Sequence, residues 1–239
     1  MVFDSLGGIE PFSPILQTVR TGESGFTLVH GMTPFEFLAQ NEENGAMFDA
    51  ALAERTAAFA PSVAAGCDFS RMRTVVDVGG GQGILLAAVL RRHPHLRGVL
   101  FDMPTVAARA EQALKASGIA DRCAVVAGDF FEQVPPGADG YLLANVLHDW
   151  RDDQAVAILT NCRQAMTTEG RVLIIERLIA DDPTQAAPTL LSDINMLIFS
   201  GGKERTNAEY GALLDAAGLR LVTVQPVAFP YCVIEGLPS

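Results

Sequence analysis

The stretch VVDVGGGQG, residues 75–83, decides how the rest of the chain is read. Val75, Val76 and Val78 around Asp77 make a short, apolar, β-branched run, the pattern of a buried strand. Glycines follow at 79, 80, 81 and 83, and LLAAVLRR (85–92) then has helical periodicity. A strand that passes through a glycine turn into a helix is where a doubly wound sheet takes a nucleotide-like ligand, because glycine permits a tight turn and a close approach. The dinucleotide fingerprint G-x-G-x-x-G fails from Gly79, since residue 84 is isoleucine. It fails again from Gly80, since residues 82 and 85 are glutamine and leucine. No GK[ST] follows, which excludes a P-loop. What remains is acid-x-G-x-G-x-G, from Asp77 through Gly79 and Gly81 to Gly83.

Working outward, RGVLFDMP (97–104), CAVVAGDFF (123–131), GYLLANVL (140–147) and RVLIIERLI (171–179) predict four more apolar strands. Helices through VAARAEQALKAS (106–117) and DQAVAILTNCRQAM (153–166) separate them. Such alternation means a mostly parallel sheet covered on both faces, an α/β class. After a loop rich in Asp, Pro and Thr, helices are expected at about 188–199 and 206–217. LRLVTVQPV (219–227) and YCVIEGL (231–237) close the chain as strands, paired antiparallel because their link is too short for a crossover. Upstream, Phe35, Phe37, Leu38, Met47, Phe48, Leu52 and Phe59 are spaced as in a helical region over 34–63. Residues 1–32 are expected to form an irregular lead-in with a short helix. The chain thus divides into an N-terminal helical segment, 1–65, and a ligand-binding domain, 66–239.

Seventeen Lys and Arg against 28 Asp and Glu give a net charge of −11, which argues against a nucleic-acid surface. No apolar run reaches the length of a membrane span. The first twenty residues lack the basic and apolar regions of a secretory signal, so a cytoplasmic location is expected. Cys67, Cys123, Cys162 and Cys232 show no CxxC spacing and read as reduced, mostly buried thiols.

Two further acids stand at strand ends, Asp102 in FDMP and Asp129 in GDFF. An acid at the end of the second strand can take both hydroxyls of a ribose. Asp129 and Phe130 suit an adenine, one by hydrogen bond and one by packing. A ligand with ribose, adenine and a cationic centre but no phosphates fits these acids, and S-adenosylmethionine is that ligand. The plainer alternatives are that a glycine is only a turn and that Asp129 is only a helix cap.

NVLHDWRDD, 145–153, sets His148 where the fourth strand emerges, beside the only tryptophan. Methyl transfer from a sulfonium to a phenol needs the attacking oxygen deprotonated, and an imidazole beside the cofactor supplies a base of suitable pKa. A carboxylate on its other nitrogen would fix the tautomer. The alternative is that Asp149 caps a helix starting near Arg151, with Asp152 at the third position, and that His148 only packs. No cluster of acids or histidines at ligand spacing supports a divalent ion, so no metal is expected.

VVDVGGGQG, FDMP, GDFF, VLHDW, LIIER and GGKERT, in this order, resemble the S-adenosylmethionine-dependent O-methyltransferases of the plant caffeate and bacterial polyketide-tailoring type. The resemblance runs from about residue 20 to the C-terminus and includes VHGMTPFEFLAQ (29–40). HDW together with GGKER is more specific than the glycine loop. The resemblance implies a Rossmann-like methyltransferase fold with seven strands in the order 3-2-1-4-5-7-6. It implies His148 as general base toward an aromatic or polyketide hydroxyl, oriented by Glu176 and Glu204. Asp77, Gly79, Gly81, Asp102, Met103, Asp129, Phe130, Ala144 and Trp150 fall at cofactor positions. Phe48, Leu52, Asp149, Met196 and Phe199 fall at acceptor positions. One departure is Ala144, where family members often carry a polar or basic residue that helps hold the cofactor. The other is the winged-helix dimerisation domain that precedes this region in the family and roofs the acceptor pocket; the resemblance places residue 1 after it. Helices 34–63 are then expected to fold back over the glycine loop or to pair two copies as a homodimer. The rival readings are other chemistry on the same fold, such as hydroxylation or decarboxylation, and a non-catalytic subunit that needs a partner chain.

Overall fold

The computed structural model describes residues 2–180 and 182–239. Its strands are β1 (Thr74–Val78), β2 (Arg97–Asp102), β3 (Cys123–Ala127), β4 (Gly140–Ala144), β5 (Arg171–Arg177), β6 (Leu219–Ala228) and β7 (Tyr231–Pro238). They form one sheet in the order β3-β2-β1-β4-β5-β7-β6. The first five are parallel, while β7 runs antiparallel to both β5 and β6. Residues of β1, β4 and β5 are buried along almost their whole length, as strands covered on both faces must be.

The helices are α1 (Val2–Ser5), α2 (Ile15–Thr21), α3 (Gly25–His30), α4 (Pro34–Gln40), α5 (Glu42–Gly66), α6 (Ile84–Arg92), α7 (Pro104–Ala116), α8 (Asp152–Ala165), α9 (Pro183–Phe199) and α10 (Asn207–Ala216). One face of the sheet buries Phe59 and Val63 of α5, Leu86 and Leu90 of α6, and Leu114 of α7. The other buries Ile158 and Leu159 of α8 with Tyr210 and Leu214 of α10. A smaller cluster joins Leu6, Phe26 and Leu38 to Ile198 and Phe199 of α9, so the N-terminal helices are anchored to the end of α9.

Three boundaries differ from the sequence reading. The lead-in is mostly helix, in pieces of four to seven residues, with Ser24 and Thr33 accepting the backbone N–H groups that start α3 and α4. The helical region 34–63 breaks at Asn41, whose backbone is extended between α4 and α5. Helix α9 starts at Pro183, since Asp182 caps it (Thr184 N to Asp182 Oδ1, 2.9 Å) and a proline suits the first helical position; Pro188 lies inside it. Among the described residues, no helix is long and apolar enough to cross a membrane.

The strand order reverses between β1 and β4. The crevice at the carboxyl ends of these strands is the place such sheets offer to a ligand.

Candidate active site

The glycine loop leaves β1 with Gly79 at φ +66°, and a Cβ there would come within 2.9 Å of Val146. The loop is tied to β2 by Asp102, whose Oδ2 accepts from Gly81 N (2.8 Å) and whose Oδ1 accepts from Met103 N (2.7 Å). Asp77 lies beneath the loop, 1% exposed, and its Oδ2 has no hydrogen-bond partner among the described residues. Burial, with the nearby Asp102, pushes the Asp77 carboxyl up to about 7. Burial likewise lifts Asp102 to about 6, although Gly81 and Met103 pull the other way. A buried and a half-buried acid, both with raised pKa values and with a lone pair to spare at Asp77, form a site that a cationic, hydroxyl-bearing ligand would satisfy.

A cavity of about 70 Å³ opens over this loop. Asp77, Gly79, Gly81 and Ala144 line it from the sheet, and Asp49, Leu52 and Arg55 of α5 line it from above. An ion pair from Asp49 to Arg109 Nε (2.6 Å) clamps α5 onto α7. Asp102, Met103, Asp129, Phe130 and Trp150 lie outside the lining of this cavity. Phe130 sits 3.9 Å from where a Gly79 Cβ would be and meets the Trp150 ring edge-on at 5.8 Å. Trp150 also stacks on Phe35 at 5.4 Å, which joins α4 to the domain. Asp129 is exposed and accepts from Phe131 N (2.8 Å), so in this structure its carboxylate supports a turn.

At the end of β4 the backbone turns sharply. Asn145 has φ +54°, and its buried Oδ1 lacks a partner among the described residues. A single 3-10 turn, Leu147–Asp149, follows. Its shape is imposed from far away in sequence. Glu176 Oε1, at the end of β5, accepts from the backbone N–H groups of Val146 (3.0 Å), Leu147 (3.0 Å) and His148 (3.4 Å). Arg205, fully buried, donates to the carbonyls of Leu147 (2.8 Å) and Trp150 (2.7 Å) and pairs with Asp152 (2.9 Å). Gly202 packs so closely that any side chain there would overlap the His148 carbonyl oxygen. The alternative of an Asp149 cap does not hold: α8 starts at Asp152, after an extended Arg151, and the Asp149 carboxylate stays beside the imidazole (Nε2 to Oδ1, 3.9 Å).

His148 is 2% exposed, and its Nδ1 lies 3.3 Å from both Glu204 Oε1 and Glu176 Oε2. Hydrogen-bond geometry holds only toward Glu204. Burial alone would lower the imidazole pKa, but the charges of Glu176, Asp149 and Glu204 push it up to about 9. Burial raises Glu176 to about 7, with Glu204 adding to the effect. Burial also acts against ionised Glu204, yet His148, Ser192 and Arg177 hold its carboxyl below the usual range. Glu204 is thus the charged partner of the imidazole, and Glu176 is the anchor of the turn. The three side chains bring ligating atoms within 4.8 Å of one another. Their spread over 56 residues of sequence shows no such grouping, so the expectation of no metal loses the spacing argument it rested on.

A second cavity, about 270 Å³, adjoins the imidazole. Phe48, Leu52, Asp149, Met196 and Phe199 all line it with His148. It also takes in Asn145, Arg55, Arg177, Ser192 and Asn195, which the sequence reading passed over. For Asn145 the available signal was its type, since asparagine tolerates the left-handed region and stands at a strand end. Arg55 is one of fifteen arginines and carries no local mark. Asn145 and Arg55 border both cavities, at their junction.

Residues 12–220 match the family described as O-methyltransferase domain. The chain belongs to this family. This family member is 42% identical over 222 residues to the mitomycin biosynthesis 6-O-methyltransferase of Streptomyces lavendulae, a match that covers 92% of this chain and 63% of that protein. It is also 39% identical over 215 residues to the aclacinomycin 10-hydroxylase of Streptomyces purpurascens, covering 89% of this chain and 57% of that one. Among solved structures it resembles an O-methyltransferase from neocarzinostatin biosynthesis in complex with S-adenosylmethionine and 2-hydroxy-5-methyl naphthoic acid. There the TM-score is 0.89 at 35% identity, over 96% of this chain and 68% of that one. The chain spans 60–66% of the length of the first curated relatives it matches.

Proposed function

We propose that the chain transfers a methyl group from S-adenosylmethionine to a hydroxyl of an aromatic or polyketide-type small molecule, with His148 as general base. The observation that carries this reading is the imidazole itself. Its Nδ1 is engaged by an ionised glutamate, which leaves Nε2 as the ring nitrogen available to a largely apolar cavity that meets the one over the glycine loop at Arg55 and Asn145. The cofactor, when bound, supplies an electrophilic methyl on a sulfonium. The protein's part is to hold the two reactants in line and to accept the hydroxyl proton at Nε2. Asp102 would take the ribose hydroxyls, Asp129 and Phe130 the adenine, and Asp77 the cationic amino-acid end. At Ala144 only backbone is available. Arg55, reaching in from α5, would provide the positive charge for the cofactor carboxylate that a basic residue at 144 provides elsewhere.

The neocarzinostatin enzyme's naphthoic acid supports a flat aromatic acceptor, which Phe35, Phe48, Met196 and Phe199 would sandwich. Likeness to a hydroxylase favours a second reading, that the fold serves other chemistry here. Retention of His148 with Glu204 supports the methyl-transfer reading. A homodimer is the expected assembly, because Leu16 and Val19 of α2 and Leu191 of α9 are each about two-thirds exposed or more and would be covered by a second copy. Four unpaired cysteines accord with a cytoplasmic location.

The test is His148→Ala with a panel of phenolic acceptors, read by mass spectrometry, and with calorimetry on S-adenosylhomocysteine. Product should fall by roughly 10²–10⁴ while cofactor affinity is kept. Turnover equal to wild type would show that His148 only packs.

A further inference from the structure

A general base must present an unprotonated Nε2, so the proposed reaction requires the neutral imidazole to carry its proton on Nδ1. The following rests on that reading. We propose that Ser192, held by Arg177, is a positioning residue for the base. Together the two set the direction of a hydrogen-bond chain that keeps the His148 proton on Nδ1.

The chain is continuous. Arg177 Nη1 donates to Ser192 Oγ at 2.6 Å, Ser192 Oγ donates to Glu204 Oε1 at 2.7 Å, and that oxygen lies 3.3 Å from His148 Nδ1. Its polarity follows from chemistry. A guanidinium has five donors and no acceptor, so the hydroxyl must accept from Arg177 and can send its single hydrogen only to Glu204. Glu204, held ionised by His148, Ser192 and Arg177, can only accept, and the bond from Ser192 fixes its Oε1 facing the imidazole. The remaining neighbour, Nδ1, must be the donor. Arg177 is itself fixed, by a bond from Nη2 to the Tyr231 hydroxyl (3.3 Å) and by its position 5.3 Å over the Tyr231 ring. Ser192 is 7% exposed.

Glu176 does not compete for this role, since its Oε1 serves three backbone N–H groups and its Oε2 makes no hydrogen bond among the described residues. The other charged or titratable groups facing the pair are Asp149 from the turn, Arg55 from α5, Asp193 from α9 (accepting from Glu204 N, 2.9 Å), Lys203 and Arg205 beside Glu204, and Tyr210 from α10. Changing any of these moves a charge or a titrating proton. Removing the Ser192 hydroxyl leaves every charged side chain in place and takes away one of the bonds that hold Glu204 ionised and aimed at Nδ1.

The decisive measurement is the imidazole tautomer of His148 in the cofactor-free protein, from ¹⁵N NMR at a pH above its titration, combined with steady-state kinetics. Wild type should show the Nδ1–H form. Ser192→Ala should show a mixture with Nε2–H, and kcat should fall roughly ten- to a hundredfold, the worth of one hydrogen bond to a charged group. The calorimetric affinity for S-adenosylhomocysteine should move far less, since Ser192 lines the second cavity and not the one over the glycine loop. Ser192→Thr, which keeps the hydroxyl, should restore both tautomer and rate. Arg177→Gln, which can accept as well as donate, attacks the other end of the chain and should give the same mixture even if Ser192→Ala folds poorly. An unchanged Nδ1–H tautomer in both disrupted variants, or a Thr variant as defective as Ala, overturns the proposal. His148→Gln separates this from the reading beneath it: if that variant turns over normally, the base assignment fails whatever the tautomer shows.

Discussion

Replacing Glu176 by alanine should damage folding before it damages chemistry. The carboxylate is fully buried, and its Oε1 accepts from the N–H groups of Val146 and Leu147 at 3.0 Å and of His148 at 3.4 Å. Alanine leaves at least the two well-formed donors without an acceptor, in a place closed to water. Each such orphan costs about 1–3 kcal/mol, so the loss should be about 2–6 kcal/mol. A domain of ordinary stability holds about 5–15 kcal/mol, and this is a large share of it. Glutamine keeps a carbonyl oxygen at the same point and removes a carboxyl that burial already disfavours, so Glu176→Gln should cost no more than about 1.5 kcal/mol. Urea unfolding followed by circular dichroism, with a common m-value, compares the three proteins. Alanine and wild type unfolding at the same midpoint would refute the reasoning, and so would glutamine losing as much as alanine.

The pH dependence has a definite sign. His148, raised to about 9, has a folded pKa above its unfolded value, so its contribution to stability is full below about 6.5 and is lost as pH rises to about 9. Glu176 and Asp77, both raised to about 7, act in the same direction between about pH 4 and 7. Thermal midpoints of the free protein should therefore fall as the pH is raised from 5 to 9, while kcat/KM for the acceptor rises toward pH 9 as the base loses its proton; a flat stability profile would contradict the buried cluster. Asp102→Asn keeps the size of the side chain and removes the charge that would face the ribose. Calorimetry with S-adenosylhomocysteine should show affinity weakened by about 1–3 kcal/mol, and unchanged affinity would sink the ribose assignment.

The parallel sheet was legible because its strands are buried on both faces and must be apolar throughout. The acids at 77 and 102 stand out for the same reason, as charges at the ends of greasy runs. The lead-in was not legible. Helices of four to seven residues are too short to display a period, and they are held by local caps and by the contact of Phe26 and Leu38 with α9. Asn41 breaks the next helix without a proline or glycine to announce it.

The same division runs through the site. His148 is conspicuous, because an ionisable group at the mouth of an apolar element needs a reason, whereas Glu176 and Glu204 were reached only through the resemblance carried by LIIER and GGKERT. The sequence offers Asp149 only as a local cap for the next helix, while the turn that carries His148 is built by Glu176 and Arg205, 29 and 58 residues away from Leu147. Local pattern cannot report such partners. Ser192 is still harder to see, a serine within a helix whose importance lies in which way its one hydrogen points. That direction is dictated by Arg177, the last residue of β5 in a motif first noticed for its glutamate. A residue whose role is to pass on the polarity of a donor has no composition, spacing or period of its own. It becomes visible only when the atoms on either side of it are in place.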